Sequence, residues 1–151
     1  MIRIVRTNSE NSDFISLVKL LDKDLAKRDG DDHAFYHQYN KIDNIKCALL
    51  AYENEQPVGC GAIRELDSNS MEVKRMYTLP GYRGKGIASK ILSELENWTA
   101  ELGYETCVLE TGKRQPEAIK LYVKNGYKQI PNYGQYAEVE NSLCFKKILS
   151  K

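Results

Sequence analysis

Between Ile2 and Thr7 apolar and basic residues alternate, the period-two pattern of a strand with one buried face, and the polar run from Asn8 to Asp13 then offers several helix caps. From Phe14 to Lys27 the rhythm changes. Phe14, Leu17, Val18, Leu21 and Leu25 recur at steps of three and four, the apolar stripe of a helix, with Gly30 placed to end it. Asp31 to Asp43 carries His33, Phe35, Tyr36, His37 and Tyr39 in a setting too polar for core, and fits a short helix or an ordered loop. Strand signals follow: Cys47 to Tyr52, a turn at Glu53 to Pro57, Val58 to Leu66, a turn at Asp67 to Ser70, and Met71 to Thr78, which stops at Leu79-Pro80-Gly81. The spacing predicts a three-strand meander.

Helical spacing returns with Ile87, Ile91, Leu92, Leu95 and Trp98, closed by Leu102-Gly103. Glu105 to Glu110 reads as a strand. Pro116 to Asn125 reads as a helix with proline near its first position and Gly126 just past its end. Tyr127 to Ile130 and Ser142 to Leu149 are two more strands, separated by a loop rich in tyrosine and asparagine. This order predicts an α+β fold: a central mixed, mostly antiparallel sheet of about seven strands with helices on both faces. The sheet should be parallel only around the strand, helix, strand unit at 71 to 110. With 151 residues and no linker, repeat or low-complexity tract, the expectation is a single domain, 1–151.

Composition narrows the partners. The chain is 28% charged, with 22 basic residues against 21 acidic, so bulk charge favours neither nucleic acid nor an anionic membrane. Cys47, Cys60, Cys107 and Cys144 form no C-x-x-C pair and lie in or beside apolar runs, so they read as small hydrophobes rather than as a zinc or redox site. His33 and His37 stand at i, i+4 without a third ligand at matching spacing, and no metal is expected. No leader-like or membrane-length apolar stretch is visible, so a soluble, cytoplasmic protein is expected.

The segment with chemical content is Arg83-Gly84-Lys85-Gly86, which joins the strand ending at Thr78 to the helix beginning at Ile87. A helix N-terminus leaves its first N–H groups without intrahelical partners and carries partial positive charge, so it suits a phosphate. Glycines permit close approach, and Arg83 and Lys85 add full charges. Neither G-x-x-x-x-G-K-[ST] nor a complete G-x-G-x-x-G is present, which removes the two common nucleotide loops. Read alone, the segment fits a solvated turn better than a ligand cradle.

Its neighbours change that balance. Arg83-x-x-Gly86-x-Ala88 resembles the R/Q-x-x-G-x-G/A signature of the GNAT superfamily of acyl-CoA-dependent N-acyltransferases. Upstream, Lys74 to Tyr82 looks like that family's fourth strand and its connection to the cofactor helix. Downstream, Ala118-Ile119-Lys120-Leu121-Tyr122-Val123-Lys124-Asn125-Gly126-Tyr127 is similar to its A-I-x-L-Y-x-x-x-G-[FY] run. One departure is Gln115, where many members carry Asn.

The resemblance implies a fourth strand that splays from the fifth. Met76, Tyr77 and Thr78 then meet the pantetheine arm of acetyl-CoA, and Arg83, Gly84, Lys85, Gly86, Ile87 and Ala88 hold its pyrophosphate. It implies that the Met76 N–H polarises the thioester carbonyl and that Tyr122 protonates the departing thiolate. Glu72 and Glu110 fall near the divergence and are candidate bases, each equally readable as a surface charge or as an ion-pair partner of Lys74 or Arg75. The acceptor pocket would draw on the cluster from His33 to Tyr39 and on the loop Asn132-Tyr133-Gly134-Gln135-Tyr136. The activity implied is transfer of acetyl from acetyl-CoA to a primary amine of a small metabolite by direct attack. A protein lysine or N-terminal amine as acceptor, or a CoA-sensing module without turnover, remain open. A homodimer is compatible with the family but specified by nothing in the sequence.

Overall fold

The computed structural model describes residues 1–29 and 45–149. The elements run β1 (Ile2–Thr7), α1 (Ser12–Asp29), β2 (Cys47–Glu53), β3 (Gln56–Glu65), β4 (Ser70–Thr78), α2 (Ile87–Glu101), β5 (Thr106–Gly112), α3 (Pro116–Lys124), β6 (Lys128–Ile130) and β7 (Ser142–Ile148). One sheet holds all seven strands in the order β1-β2-β3-β4-β5-β7-β6. Only β4 and β5 pair in parallel. Of the caps offered before α1, Asn11 is the one used: its Oδ1 accepts from the N–H groups of Asp13 (2.9 Å) and Phe14 (3.2 Å).

Helices cover both faces. Phe14, Leu17 and Val18 of α1 pack on Ala48, Leu50, Cys60 and Ala62, while Ile87, Ile91, Leu92 and Leu95 of α2 pack on Leu49, Ala51, Ile63, Met71 and Val73. The unbroken apolar run of β2 follows from this, because successive residues point to opposite buried faces. Cys60, Cys107 and Cys144 are buried in these layers, Cys47 is half-buried, and all four are free thiols. Burial pushes the Cys60 thiol up to about 12, which leaves it an inert packing group.

Two irregularities of β4 shape the centre of the molecule. The β4–β5 ladder contains only Ser70↔Thr106, Met71↔Cys107 and Glu72↔Val108, after which the two strands no longer pair with each other, β4 running on beside β3 to Thr78 and β5 beside β7 to Gly112. On the other edge, Cys60 pairs Tyr77 and Ala62 pairs Lys74, so Arg75 and Met76 together stand opposite Gly61 in a β-bulge. Arg75 takes the positive φ, 60°. The bulge bends β4 just where it leaves β5.

Gly61 is where the bulge meets α2. A Cβ there would lie 2.7 Å from Met76 Sδ, 2.8 Å from Ile91 Cγ2 and 3.0 Å from Leu95 Cδ1. Gly61→Ala is therefore expected to destabilise the fold by about 1–3 kcal/mol through overpacking. The check is urea unfolding, where the midpoint should fall at an unchanged m-value.

Among the described residues no helix is long and apolar enough to cross a membrane, and no His/Cys/Asp/Glu group is arranged to hold a metal ion.

Candidate active site

Where β4 and β5 part, a cavity of about 440 Å³ opens between them. Its wall includes Met76, Tyr77 and Thr78 from β4, Glu110 from β5, Tyr122 from α3, and Leu21, Asp24 and Leu25 from α1. Arg83, Gly84, Gly86, Ile87 and Ala88 form another part of the wall. Since α1 and α2 cover opposite faces of the sheet and both reach the same cavity, the cavity passes through the sheet at the split.

On the α2 side the cradle has the properties a phosphate requires. Gly84 and Gly86 hold φ of 79° and 81°, and a Cβ at either would meet nothing within 4 Å, so the space in front of the helix is open. Gly86 is the N-cap of α2 and supplies no capping side chain. Lys90 bonds back to Gly86 O at 3.1 Å, which leaves the N–H groups of Ile87, Ala88 and Ser89 ahead of the first intrahelical bond. Arg83 stands in the wall, its Nε donating to Thr78 O at 2.8 Å and its Cζ 5.5 Å from the centre of the Tyr77 ring. It braces the end of β4 while keeping its charge at the cradle. Lys85 is exposed, its Nζ 5.4 Å from the centre of the Tyr82 ring and outside the cavity wall.

The free edge of β4 carries donors. Leu79 N–H bonds Val58 O at 2.9 Å on the β3 side. Strand alternation then turns the N–H of Thr78 to the opposite edge, the one β5 has vacated, and Met76 follows in the bulge. An extended chain with polar groups can pair there as another strand would.

Tyr122 is 6% exposed and packs between Tyr127 (centroids 5.8 Å apart, edge-on) and Phe145 (6.4 Å). Its hydroxyl makes no hydrogen bond among the described residues. Burial, and then the charge of Glu110, push its pKa upward, so the phenol keeps its proton until a strong base comes near. Asn125, one turn on, donates to Ser89 Oγ (3.2 Å) and Leu121 O (2.8 Å) and so ties α3 to the first turn of α2.

The two carboxylates differ. Glu72 is 1% exposed and held on both oxygens: Arg64 Nε donates to Oε1 at 3.0 Å, and the Tyr133 hydroxyl donates to Oε2 at 2.7 Å. Burial and the Glu72 charge push the Tyr133 pKa upward. Glu110 accepts from Ser142 Oγ at 2.7 Å and lines the cavity facing Tyr122 electrostatically. The Glu72 bridge is to Arg64, its register partner on β3, and Arg75 bridges to Asp22 of α1 rather than to either carboxylate.

The loop after β6 closes one side. Asn132 Nδ2 staples it by donating to the carbonyls of Val139 (3.2 Å) and Ser142 (2.9 Å), and Tyr133 meets Tyr136 edge-on at 6.0 Å, with Tyr136 in the cavity wall. Gln115 also reaches that wall, as the N-cap residue of α3. The cluster from His33 to Tyr39 lies outside the described residues. Sequence reading missed Arg64, Asp22 and the α1 contribution. Leu21 and Leu25 carry the helical signal of core residues, and nothing local marks them as cavity wall.

A split sheet with a glycine turn at a helix N-terminus on one face and a cavity reaching α1 on the other has the layout of an enzyme that binds an extended ligand through the sheet, with a place for a phosphate at one end. Residues 14–127 match the family model described as the acetyltransferase (GNAT) family. The uncharacterized N-acetyltransferase YsnE of Bacillus subtilis is 35% identical over 101 residues, covering 66% of this chain and 67% of that protein. Among solved structures, an acyl-CoA N-acyltransferase of Klebsiella pneumoniae is 28% identical and superposes with a TM-score of 0.84 over 99% of both chains. The PaiA N-acetyltransferase of Thermoplasma acidophilum, solved in complex with coenzyme A, shares the fold at 18% identity, a TM-score of 0.73 and 99% coverage of both chains.

The chain belongs to the GNAT acetyltransferase family. It is an acetyl-CoA-dependent acyltransferase.

Proposed function

We propose that this enzyme acetylates a primary amine of a small metabolite by direct attack on acetyl-CoA, with no covalent enzyme intermediate. The observation that carries this reading is the cavity through the split, which reaches from the glycine turn on its α2 side to Tyr136, Leu21 and Leu25 on the other.

Each residue then has a distinct task. The N–H groups of Gly84, Gly86, Ile87 and Ala88, with the Arg83 charge, hold the pyrophosphate, while Lys85 contributes long-range attraction from outside the wall. Met76 and Thr78 pair with the pantetheine arm, beside Tyr77. The Met76 N–H donates to the carbonyl oxygen as negative charge develops on it, and the fixed backbone supplies this donor without reorganisation. Glu110, directly or through water, takes a proton from the incoming ammonium. As the C–N bond forms and the C–S bond breaks, Tyr122 gives its proton to the departing thiolate, and the second proton lost by the attacking nitrogen returns through water to the Tyr122 oxygen. A buried thiolate is itself a strong base, so the raised phenol still matches it.

Of the two candidate bases, Glu110 fits better. Glu72 is committed to Arg64 and Tyr133 and serves to position the loop that carries Tyr136. Glu110→Gln is expected to lower kcat/KM by about tenfold near neutrality and to recover as pH approaches the pKa of the amine, because solvent then supplies neutral amine. Glu72→Gln should instead raise the acceptor KM. A Glu110 variant with an unaltered pH profile would remove it from the base role.

The reading as a whole is tested by calorimetric titration with acetyl-CoA, followed by transfer assays over panels of small amines and lysine peptides. Absence of cofactor binding by folded protein at millimolar concentration would sink it. Turnover confined to peptides would move the acceptor to protein.

A further inference from the structure

Arg75 is the residue that neither folding nor the acetyl-transfer steps explain. It occupies the positive-φ position of the β4 bulge, its side chain is 2% exposed, and it belongs to the cavity wall. Nη1 donates to Asp22 Oδ1 at 3.1 Å, while Nε and Nη2 are buried with no hydrogen-bond partner. These two atoms are the only buried side-chain nitrogen or oxygen atoms without a partner among the described residues. A guanidinium taken out of water with two of its three nitrogens unsatisfied is unfavourable by itself. A sheet that needed only packing there would be better served by an apolar residue.

The pattern of satisfied and unsatisfied atoms is specific. Nε and Nη2 share one edge of the planar guanidinium, the edge that meets a carboxylate through two parallel N–H···O bonds. Asp22 takes the other end and leaves that edge whole. Lys74, the preceding residue, is 9% exposed and stands in the same wall, so a second cation adjoins the position. Asp24, Glu72 and Glu110 also face the cavity, which favours a planar monoanion over a dianionic phosphate.

We propose that Arg75 is a specificity-determining residue that reads a carboxylate on the acceptor, so that the amine acetylated belongs to an amino acid or a similar amine-bearing acid. This rests on the acetyl-transfer reading above and names its acceptor class. Arg75 pairs with α1, on the face opposite the cradle, which is the side an acceptor must use. Arg75 and Met76 are also the two residues of the bulge, so the strand that aims the Met76 N–H at the thioester carries the carboxylate reader beside it. A single bond, to half-buried Asp22, holds the Arg75 guanidinium in this orientation.

The test uses the full chain saturated with coenzyme A and titrated with the standard amino acids and, in parallel, with their carboxamides. At least one amino acid should bind at least tenfold tighter than its amide. Arg75→Gln and Arg75→Lys should each abolish that preference, the lysine variant because it keeps the charge but lacks the two-pronged edge. Coenzyme A affinity should be retained in both variants, which reports that they fold. Equal binding of acids and amides by the parent protein, or no binding of any acid, overturns the proposal even if every variant misfolds. A preference that survives Arg75→Gln overturns the assignment to Arg75. The acetyl-transfer reading is judged separately, by acetyl-CoA binding and by turnover over a panel of amines with and without a carboxylate. Its failure is thereby distinguishable from the failure of this inference.

Discussion

Tyr122→Phe is expected to lower kcat by about a hundredfold or more and to leave the acetyl-CoA dissociation constant within about twofold of the parent value. The substitution removes one oxygen and nothing else. The ring remains packed between Tyr127 and Phe145, and the lost hydroxyl had no hydrogen-bond partner among the described residues, so no buried group is orphaned. What disappears is the proton held beside the cavity for the leaving thiolate. The expected signature is therefore a fall in turnover without a matching fall in cofactor affinity or thermal stability. Parallel loss of turnover and affinity would assign Tyr122 to binding, and unchanged turnover would leave protonation of the thiolate to solvent.

The second large effect is expected at the cradle. Arg83→Ala combined with Gly86→Val should weaken acetyl-CoA binding by at least about a hundredfold, the equivalent of about 2.7 kcal/mol. Valine at φ of 81° is strained by about 1–2 kcal/mol, and relief of that strain moves the first N–H groups of α2 off their target. Its Cβ also enters space that no protein atom fills. Loss of Arg83 removes a charge and frees Thr78 O, so the end of β4 loses its brace. Calorimetry with acetyl-CoA and with coenzyme A reads the effect, and a dissociation constant within a few-fold of the parent would remove this segment from pyrophosphate binding. A companion Lys85→Ala variant should show a much smaller and salt-sensitive change, because that ammonium lies outside the wall.

Much of this protein is legible in the order of its residues, and the reasons are local. The stripe from Phe14 to Leu25, the run from Cys47 to Tyr52 and the helical steps from Ile87 to Trp98 each report which face of an element is buried, because side-chain direction follows from backbone period. The cradle is equally local: a helix start, two glycines and an arginine are contiguous in the chain, and the donors are backbone groups whose direction the helix itself dictates. The motif from Ala118 to Tyr127 places Tyr122 for a similar reason.

Contacts between distant segments are another matter. Glu72 and Glu110 look alike in sequence, two acidic residues near strand ends. They are told apart by Arg64 across β3, by Tyr133 from a loop far along the chain and by Ser142 from β7. No local periodicity encodes such partners, because they depend on register and on where loops return. Arg75 is the extreme case: its unsatisfied edge exists only because a bulge turns it toward Asp22 and α1 buries it.

The glycine turn and helix start from Arg83 to Ala88, which we propose as the acetyl-CoA cradle, were thus determined by sequence alone, since contiguous backbone builds them. The acceptor half that we propose, with Glu110 and Arg75, was decided only in three dimensions, where side chains from α1, β4, β5, α3 and the loop after β6 converge on a gap between two strands.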